Sequence, residues 1–247
     1  MSTDTTDRVA LVTGAGRGLG VGIAQALSKA GYRVAVGYCK SRADAERVAS
    51  RLNGARAFQV DVGDTDSVSA AGNMIRAEMG PIDVLVNNAG IAQETPFLQL
   101  TDGDWEHMLS VNLLGAVRCV RQVLPGMLDR RWGRIVNISS IGGQWGGMNQ
   151  LHYAASKAAL INFTRSIAKL HSGQGITSNA IAPGLVATEM SAAELDSEAG
   201  QAKVSGIPAA RLGTIQEVGA TAAFLCTDGA AYITGQTLNL NGGMLFD

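Results

Sequence analysis

Residues 8–31, RVALVTGAGRGLGVGIAQALSKAG, decide the fold of this chain. Arg8–Thr13 is an apolar, β-branched run that reads as a strand, and Gly18–Ala30 has the apolar periodicity of a helix closed by Gly31. Between them lies TGAGRGLG, residues 13–20. A glycine-rich turn that leaves a strand and opens a helix is suited to phosphate, because no Cβ blocks close approach. The helix start adds unpaired N–H groups and the positive end of its dipole. The spacing Gly14, Gly18, Gly20 is GxxxGxG rather than the dinucleotide pattern GxGxxG, since Leu19 takes the place of its last glycine. Taken alone, the loop is equally a tight turn in a chain with 31 glycines.

Outward from this unit the chain alternates strands and helices. Strands are expected at Arg33–Val36, Ala57–Val60, Asp83–Val86, Gly133–Ser139, Ile176–Ile181 and Gln236–Leu240. Helices are expected at Arg42–Leu52, Asp64–Met79 (stopped by Gly80-Pro81), Thr101–Arg130, Tyr153–Lys169 and Ile215–Leu225. Strands apolar on both faces and separated by helices predict one doubly wound α/β domain over 1–247, a parallel sheet covered on both sides. Met190–Pro208 interrupts the alternation, as a surface excursion or a lid over a site.

Composition narrows the class. With 46% hydrophobic and 17% charged residues, the chain can bury a full core and is not disordered. A net charge of −1, with no long run of either sign, argues against a nucleic-acid surface. Cys39, Cys119 and Cys226 are odd in number and widely spaced, as free thiols in a reducing compartment are. MSTDTTDR has neither the basic start nor the apolar stretch of a signal peptide, and no run approaches about 18 apolar residues. A cytoplasmic protein without a membrane span is expected.

Charge also bears on a bound nucleotide. Proteins that hold NAD place an acid near the end of the second strand for the ribose 2′-hydroxyl. Here that stretch is Val36-Gly37-Tyr38-Cys39-Lys40-Ser41-Arg42, and the first acid, Asp44, is already in the next helix. Arg17, Lys40 and Arg42 suit a 2′-phosphate instead, which predicts NADP(H). Their plain alternative is solvated charge at a helix start.

Tyr153 and Lys157 stand at i and i+4 on one helix face. A neighbouring ammonium lowers a phenol's pKa and fits it for proton transfer to or from a carbonyl or alcohol oxygen. Ser140, thirteen residues before Tyr153 at a strand's carboxyl end, is placed to bind that oxygen. His107, His152 and His171 have no metal-ligand spacing, so no metal is expected, and no GxSxG elbow favours serine hydrolysis. His152 reads as a bystander or part of a pocket rim.

TGAGRGLG, Asn87-Asn88-Ala89-Gly90, Asn112, Ser140, Tyr153-x-x-x-Lys157 and Pro183-Gly184 together resemble the short-chain dehydrogenase/reductase family, in order and over nearly the whole chain. The resemblance implies Tyr153 as proton donor and Ser140 as the residue orienting the substrate carbonyl, with Ser139 the poorer choice by spacing. It implies that Lys157 lowers the tyrosine pKa and holds the nicotinamide ribose, and that Asn112 positions a water in a proton relay from Lys157. It places Asp61 at the adenine and Asn88, Ala89 and Gly90 against the cofactor. It extends the cofactor set to Leu19, Tyr38, Ser41, Val62, Pro183, Gly184, Val186 and Thr188, besides Gly14, Arg17, Gly18, Gly20, Lys40, Tyr153 and Lys157. A homotetramer built through the Thr101–Arg130 and Tyr153–Lys169 helices is the family habit.

Within the family the nearest likeness is to the 3-oxoacyl-thioester reductases, carried by Trp132–Ser140 and by Asn239–Met244. Arg131 matches one of two arginines that meet an acyl carrier protein, but Gln174 stands where the second is expected. The insertion carries Glu189, Glu194, Asp196 and Glu198 against Lys203, a poor rim for an acidic partner or a solvated helix face. Trp145, Met148 and Leu151 read either as an apolar pocket or as packing. A reductase of free small ketones is therefore the alternative to a thioester reductase, and a non-catalytic nucleotide-binding regulator stands behind both.

Overall fold

The computed structural model describes residues 8–188 and 198–246. Its strands are β1 (Val9–Val12), β2 (Arg33–Tyr38), β3 (Arg56–Gln59), β4 (Ile82–Asn87), β5 (Gly133–Ile138), β6 (Ile176–Pro183), β7 (Val186–Ala187), β8 (Gly213–Thr214) and β9 (Thr237–Leu240). Its helices are α1 (Leu19–Lys29), α2 (Arg42–Ala49), α3 (Thr65–Met79), α4 (Asp102–Leu109), α5 (Gly115–Arg130), α6 (Gly142–Trp145), α7 (Leu151–His171), α8 (Glu198–Ser205) and α9 (Ile215–Leu225). Seven strands form one sheet in the order β3-β2-β1-β4-β5-β6-β9, every pair parallel. The short β7 and β8 pair separately.

Alternation along each strand divides the core in two. Ala10, Val12, Val34, Val36, Val84 and Val86 face one side, against Ile23 and Leu27 of α1 and Val218 and Leu225 of α9. Val9, Leu11, Ala35, Leu85 and Ile135 face the other, against Ile75 of α3, Val120 and Val123 of α5 and Ile167 of α7. With both faces covered, every residue of β4 and β5 is buried, the signature of a parallel sheet. Helices α1 and α9 approach so closely that a Cβ on Gly22 would strike the Ile215 carbonyl and one on Gly219 the Gly22 carbonyl. The strand order turns back between β1 and β4, and the crevice beyond the carboxyl ends at such a switch is where open α/β sheets bind ligands.

The expected long helix Thr101–Arg130 is broken. A capping box of Thr101 and Asp104 starts α4, a π-helical turn spans Ser110–Leu114, and α5 resumes at Gly115. Arg118 stabilises the turn by donating to the Ser110 carbonyl at 2.9 Å and to the Val62 carbonyl at 3.1 Å. Periodicity does not register one wide turn, and such turns concentrate at functional sites. Of the insertion Met190–Pro208, residues 190–197 lie outside the described residues. Residues 198–205 form α8, and beyond them Ile207 is buried and Ala209 donates to the Gly242 carbonyl at 2.9 Å. Its far end is thus tied to the C-terminal loop rather than to solvent. Among the described residues, no helix is long and apolar enough to cross a membrane.

Candidate active site

The glycine loop is held by a brace. The Thr13 hydroxyl oxygen accepts from the N–H groups of Asn88 at 3.1 Å and Ala89 at 3.0 Å, while the Asn88 side-chain amide donates to the Thr13 and Gly14 carbonyls at 3.0 and 3.1 Å. Gly14 has φ +65°, and a Cβ there would lie 3.0 Å from Ala89 Cα, so both conformation and space require glycine. A Cβ on Gly20 would meet the Gly14 carbonyl, which sets Leu19-Gly20 tight against the loop. Gly18 begins α1 with φ +56°, no side chain capping the helix, no acid in its first turn and nothing within 4 Å of a Cβ position. Bare N–H groups facing open space fit a diphosphate.

Beyond β2, Lys40, Ser41 and Arg17 are exposed and Tyr38 is half-buried. Arg42 pairs with Glu46 at 2.7 Å across one turn of α2. Asp61 follows β3, its carboxylate accepting from the Gly63 N–H at 2.9 Å. The Cys39 thiol, raised by burial and by the charge of Asp61, lies beside it. Val62 is buried against Gly115, so its side chain belongs to the core.

Across the switch stands the polar cluster. Ser140 ends the β5 connection, and its hydroxyl accepts from the Gly142 N–H at 3.1 Å. Burial raises the Tyr153 phenol pKa, and a hydrogen bond from Ser140 pulls it down. Lys157 is almost wholly buried on the same face of α7, its ammonium 5.7 Å from the Tyr153 ring centroid. It donates to the Ile138 carbonyl at 2.8 Å, and desolvation lowers its own pKa to about 8. Lys157 is thus turned to a backbone carbonyl, while the hydrogen bond that draws the phenol pKa down comes from Ser140. Ser139 donates to the Lys157 carbonyl at 3.0 Å and so braces α7 rather than facing substrate.

Asn112 sits in the π turn, buried. Its oxygen accepts from the Ile91 N–H at 2.8 Å, and its amide donates to the Ile91 carbonyl at 2.9 Å and to Ser156 Oγ at 3.1 Å. Ser156 in turn donates to the Tyr153 carbonyl at 2.6 Å. The Asn112 amide is thereby committed to positioning the loop after β4, with no donor left for a relayed water. Gly90 lies between the two polar groups, its Cβ position 3.2 Å from Asn112 Oδ1 and 3.5 Å from Lys157 Nζ. On the β6 side, Pro183 accepts from the Ile141 N–H at 3.0 Å, Gly184 packs against Asn241, and Val186 and Thr188 lie half-buried just beyond.

The fold therefore gathers Gly14, Gly18, Asn88, Gly90, Ser140, Tyr153 and Lys157 at one end of the sheet. Sequence reasoning missed Thr13 and Ser156, whose signal is only their adjacency to a motif. His152 is fully buried with its ring edge-on to Trp105 at 6.0 Å, so it is not a pocket rim. Trp145, Met148 and Leu151 are exposed rather than packed. Gln174 is occupied with His171 at 2.8 Å, and Arg131 reaches the Gly173 carbonyl at 3.3 Å.

A phosphate-binding turn facing a Ser–Tyr–Lys cluster across a parallel-sheet switch point defines a nucleotide-dependent oxidoreductase. The family model described as enoyl-(acyl carrier protein) reductase matches residues 14–245, and the chain belongs to the short-chain dehydrogenase/reductase family. It is 41% identical over 239 residues to a 3-oxoacyl-[acyl-carrier-protein] reductase of Staphylococcus aureus, covering 95% of this chain and 97% of that protein. It is also 41% identical over 239 residues to an acetoacetyl-CoA reductase of Shinella zoogloeoides, covering 97% of this chain and 99% of that one. Among solved structures, a gluconate 5-dehydrogenase from Burkholderia cenocepacia in complex with NADP and tartrate superposes with a TM-score of 0.89 at 32% identity, covering 98% and 97% of the two chains.

Proposed function

We propose that the protein reduces a ketone to a secondary alcohol with NADPH, and that the ketone is a 3-oxoacyl thioester. The observation that carries this reading is the convergence of Ser140, Tyr153 and the buried Lys157 ammonium, 5.7 Å from the Tyr153 ring centroid, opposite the bare start of α1. Gly14, Gly18 and Gly20 would hold the diphosphate, Lys40 and Arg17 the 2′-phosphate, Asp61 the adenine, and Asn88 to Gly90, Pro183-Gly184, Val186 and Thr188 the nicotinamide half. NADPH bound there supplies the hydride. Support for this cofactor comes from the bases beyond β2 and from the NADP-bound relative.

Ser140 donates a hydrogen bond to the ketone oxygen and so polarises the carbonyl. Tyr153 then gives that oxygen its proton. Burial, by raising the phenol pKa, keeps Tyr153 protonated at neutral pH, which is the form reduction requires. As phenolate develops, the Lys157 charge, 5.7 Å from the ring centroid, stabilises it. Two relatives at 41% identity that act on 3-oxoacyl or acetoacetyl thioesters favour the thioester over a free ketone.

Absorbance at 340 nm follows NADPH or NADH offered with acetoacetyl-CoA and with an aryl methyl ketone. Thioester turnover with NADPH preferred is the expected result, and Tyr153→Phe should lower kcat by about a hundredfold or more while NADPH still binds. Full activity in that variant refutes the proton-donor role, and turnover of the ketone alone moves the assignment to free ketones.

A further inference from the structure

A π turn is a rare conformation, kept mostly where a functional site has a use for it. In the turn Ser110–Leu114 the support comes from outside, from Arg118. Its Nη1 gives one proton to the Ser110 carbonyl at 2.9 Å and the other to the Val62 carbonyl at 3.1 Å. Its Nε donates to Thr65 Oγ1 at 3.2 Å, and its Nη2 reaches Ser110 Oγ at 3.5 Å. These partners are carbonyls and hydroxyls, so the half-buried cation is spent on joining two stretches of chain rather than on pairing with an acid.

The two stretches come from different halves of the site. Val62 and Thr65 lie where β3 passes into α3, beside Asp61. Packing keeps this stretch close to the π turn: a Cβ on Gly115 would stand 2.8 Å from Val62 Cγ2 and 3.2 Å from the Val62 carbonyl, and one on Gly63 would stand 3.9 Å from Val111 Cγ2. On the other side the turn carries Asn112, which holds Ile91 by both its N–H and its carbonyl and donates to Ser156 Oγ at 3.1 Å. Ser156 donates to the Tyr153 carbonyl at 2.6 Å. A hydrogen bond is therefore present at every step from the Val62 carbonyl, through Arg118, the π turn, Asn112 and Ser156, to the backbone of Tyr153.

We propose that Arg118 is a positioning residue for the reaction. By holding the π turn to the stretch that carries Asp61, it sets Asn112, and through Asn112 the turn of α7 that presents Tyr153, at the spacing a bound NADPH demands. This rests on the reading of Tyr153 as proton donor and of Asp61 as the adenine contact. Without the guanidinium the Ser110 and Val62 carbonyls lose their shared donor, and Asn112 draws away from Ile91 and Ser156. A misplacement of about 1 Å at the proton donor costs up to about a hundredfold in rate, although no reacting group has changed.

The test compares wild type, Arg118→Met and Arg118→Lys in the intact chain, with urea unfolding to report the fold. Four quantities are read: NADPH affinity by its fluorescence, kcat and KM for acetoacetyl-CoA, the ratio of kcat in H2O to that in D2O, and hydrogen exchange at the Ile91 amide. Arg118→Met should bind NADPH about tenfold more weakly. Its kcat should fall about ten- to a hundredfold while the KM for the thioester changes less than about twofold, since positioning is felt in the transition state. The H2O/D2O ratio should rise as proton transfer from a displaced Tyr153 becomes slow, and Ile91 should exchange faster. Arg118→Lys keeps a cation for the two carbonyls but not the fork, and should stay folded with losses of about threefold in kcat and NADPH affinity, so it carries the test if Arg118→Met does not fold. Lower stability alone, with all four quantities of the folded variant at wild-type values, makes Arg118 structural and overturns the proposal. Weaker NADPH binding with kcat and the isotope ratio unchanged confines Arg118 to the adenine side and also overturns it. A wild type that binds NADPH but reduces no ketone refutes the ketone reading alone, because NADPH affinity and Ile91 exchange still decide the role of Arg118.

Discussion

Replacing Thr13 by valine keeps the β-branched shape at the end of β1 but removes one oxygen. That oxygen is the acceptor for the Ala89 N–H, and it shares the Asn88 N–H with the Val86 carbonyl at 3.1 Å. Thr13 is 1% exposed, so water cannot substitute on its side of the loop. An N–H left without a partner costs about 1–3 kcal/mol. Asn88 and Ala89 are half-buried, which argues for the low end, and Asn88 keeps its Val86 acceptor, so the loss totals about 1.5 kcal/mol. For a domain of this size a urea m-value near 3 kcal/mol/M converts that into a midpoint lower by about 0.5 M at unchanged m. Thr13→Ser keeps the oxygen and loses one methyl, which costs about 0.8 kcal/mol. Urea unfolding at one fixed protein concentration measures both variants, since assembly shifts apparent stability. Because the same bonds shape the glycine loop, Thr13→Val should also raise the KM for NADPH more than Thr13→Ser does. A Thr13→Val midpoint at or above that of Thr13→Ser would refute the brace.

Lys157 supplies a pH test. Its pKa falls from 10.5 to about 8 on folding, so between those values the unfolded chain binds more protons and stability rises with pH. At 1.36 kcal/mol per tenfold change in proton affinity, the fall from 10.5 to about 8 amounts to about 3 kcal/mol. Cys119 and Cys226, pushed by burial from 9.0 up to about 12, act oppositely above pH 9, so the readout is wild type minus Lys157→Met. That difference should grow from pH 8 to 10.5 in favour of wild type, and a flat difference contradicts the buried charge. Lys40→Ala should lower the ratio of NADPH to NADH efficiency by about tenfold, the low end for one exposed charge-assisted bond, and an unchanged ratio places the 2′-phosphate elsewhere. Gly219→Ala forces a methyl onto the Gly22 carbonyl and should cost about 1–3 kcal/mol, lowering Tm by roughly 3–9 °C in a thermal melt.

The order of strands and helices was legible because burial leaves a period, and a parallel sheet covered on both faces leaves uninterrupted apolar runs such as DVLV at 83–86. The glycines at 14, 18 and 20 were legible for a related reason: a positive φ or a forbidden Cβ admits one residue type, so the constraint is written in the sequence. Hydrogen bonds between segments leave no such trace. That Thr13 serves Asn88 and Ala89, 75 and 76 positions away, follows only when β1 and β4 lie side by side. The π turn at Ser110–Leu114 is likewise invisible to periodicity, since Asn112 reaches Ile91 only after α4 and the loop beyond β4 have packed. The i, i+4 spacing of Tyr153 and Lys157 put both on one helix face, but where each points was decided by β5: Ser140 takes the phenol and the Ile138 carbonyl takes the ammonium. Residue type and spacing determine which groups are available, while partner choice is a property of the packed chain, because only there do distant backbone carbonyls compete for the same donor.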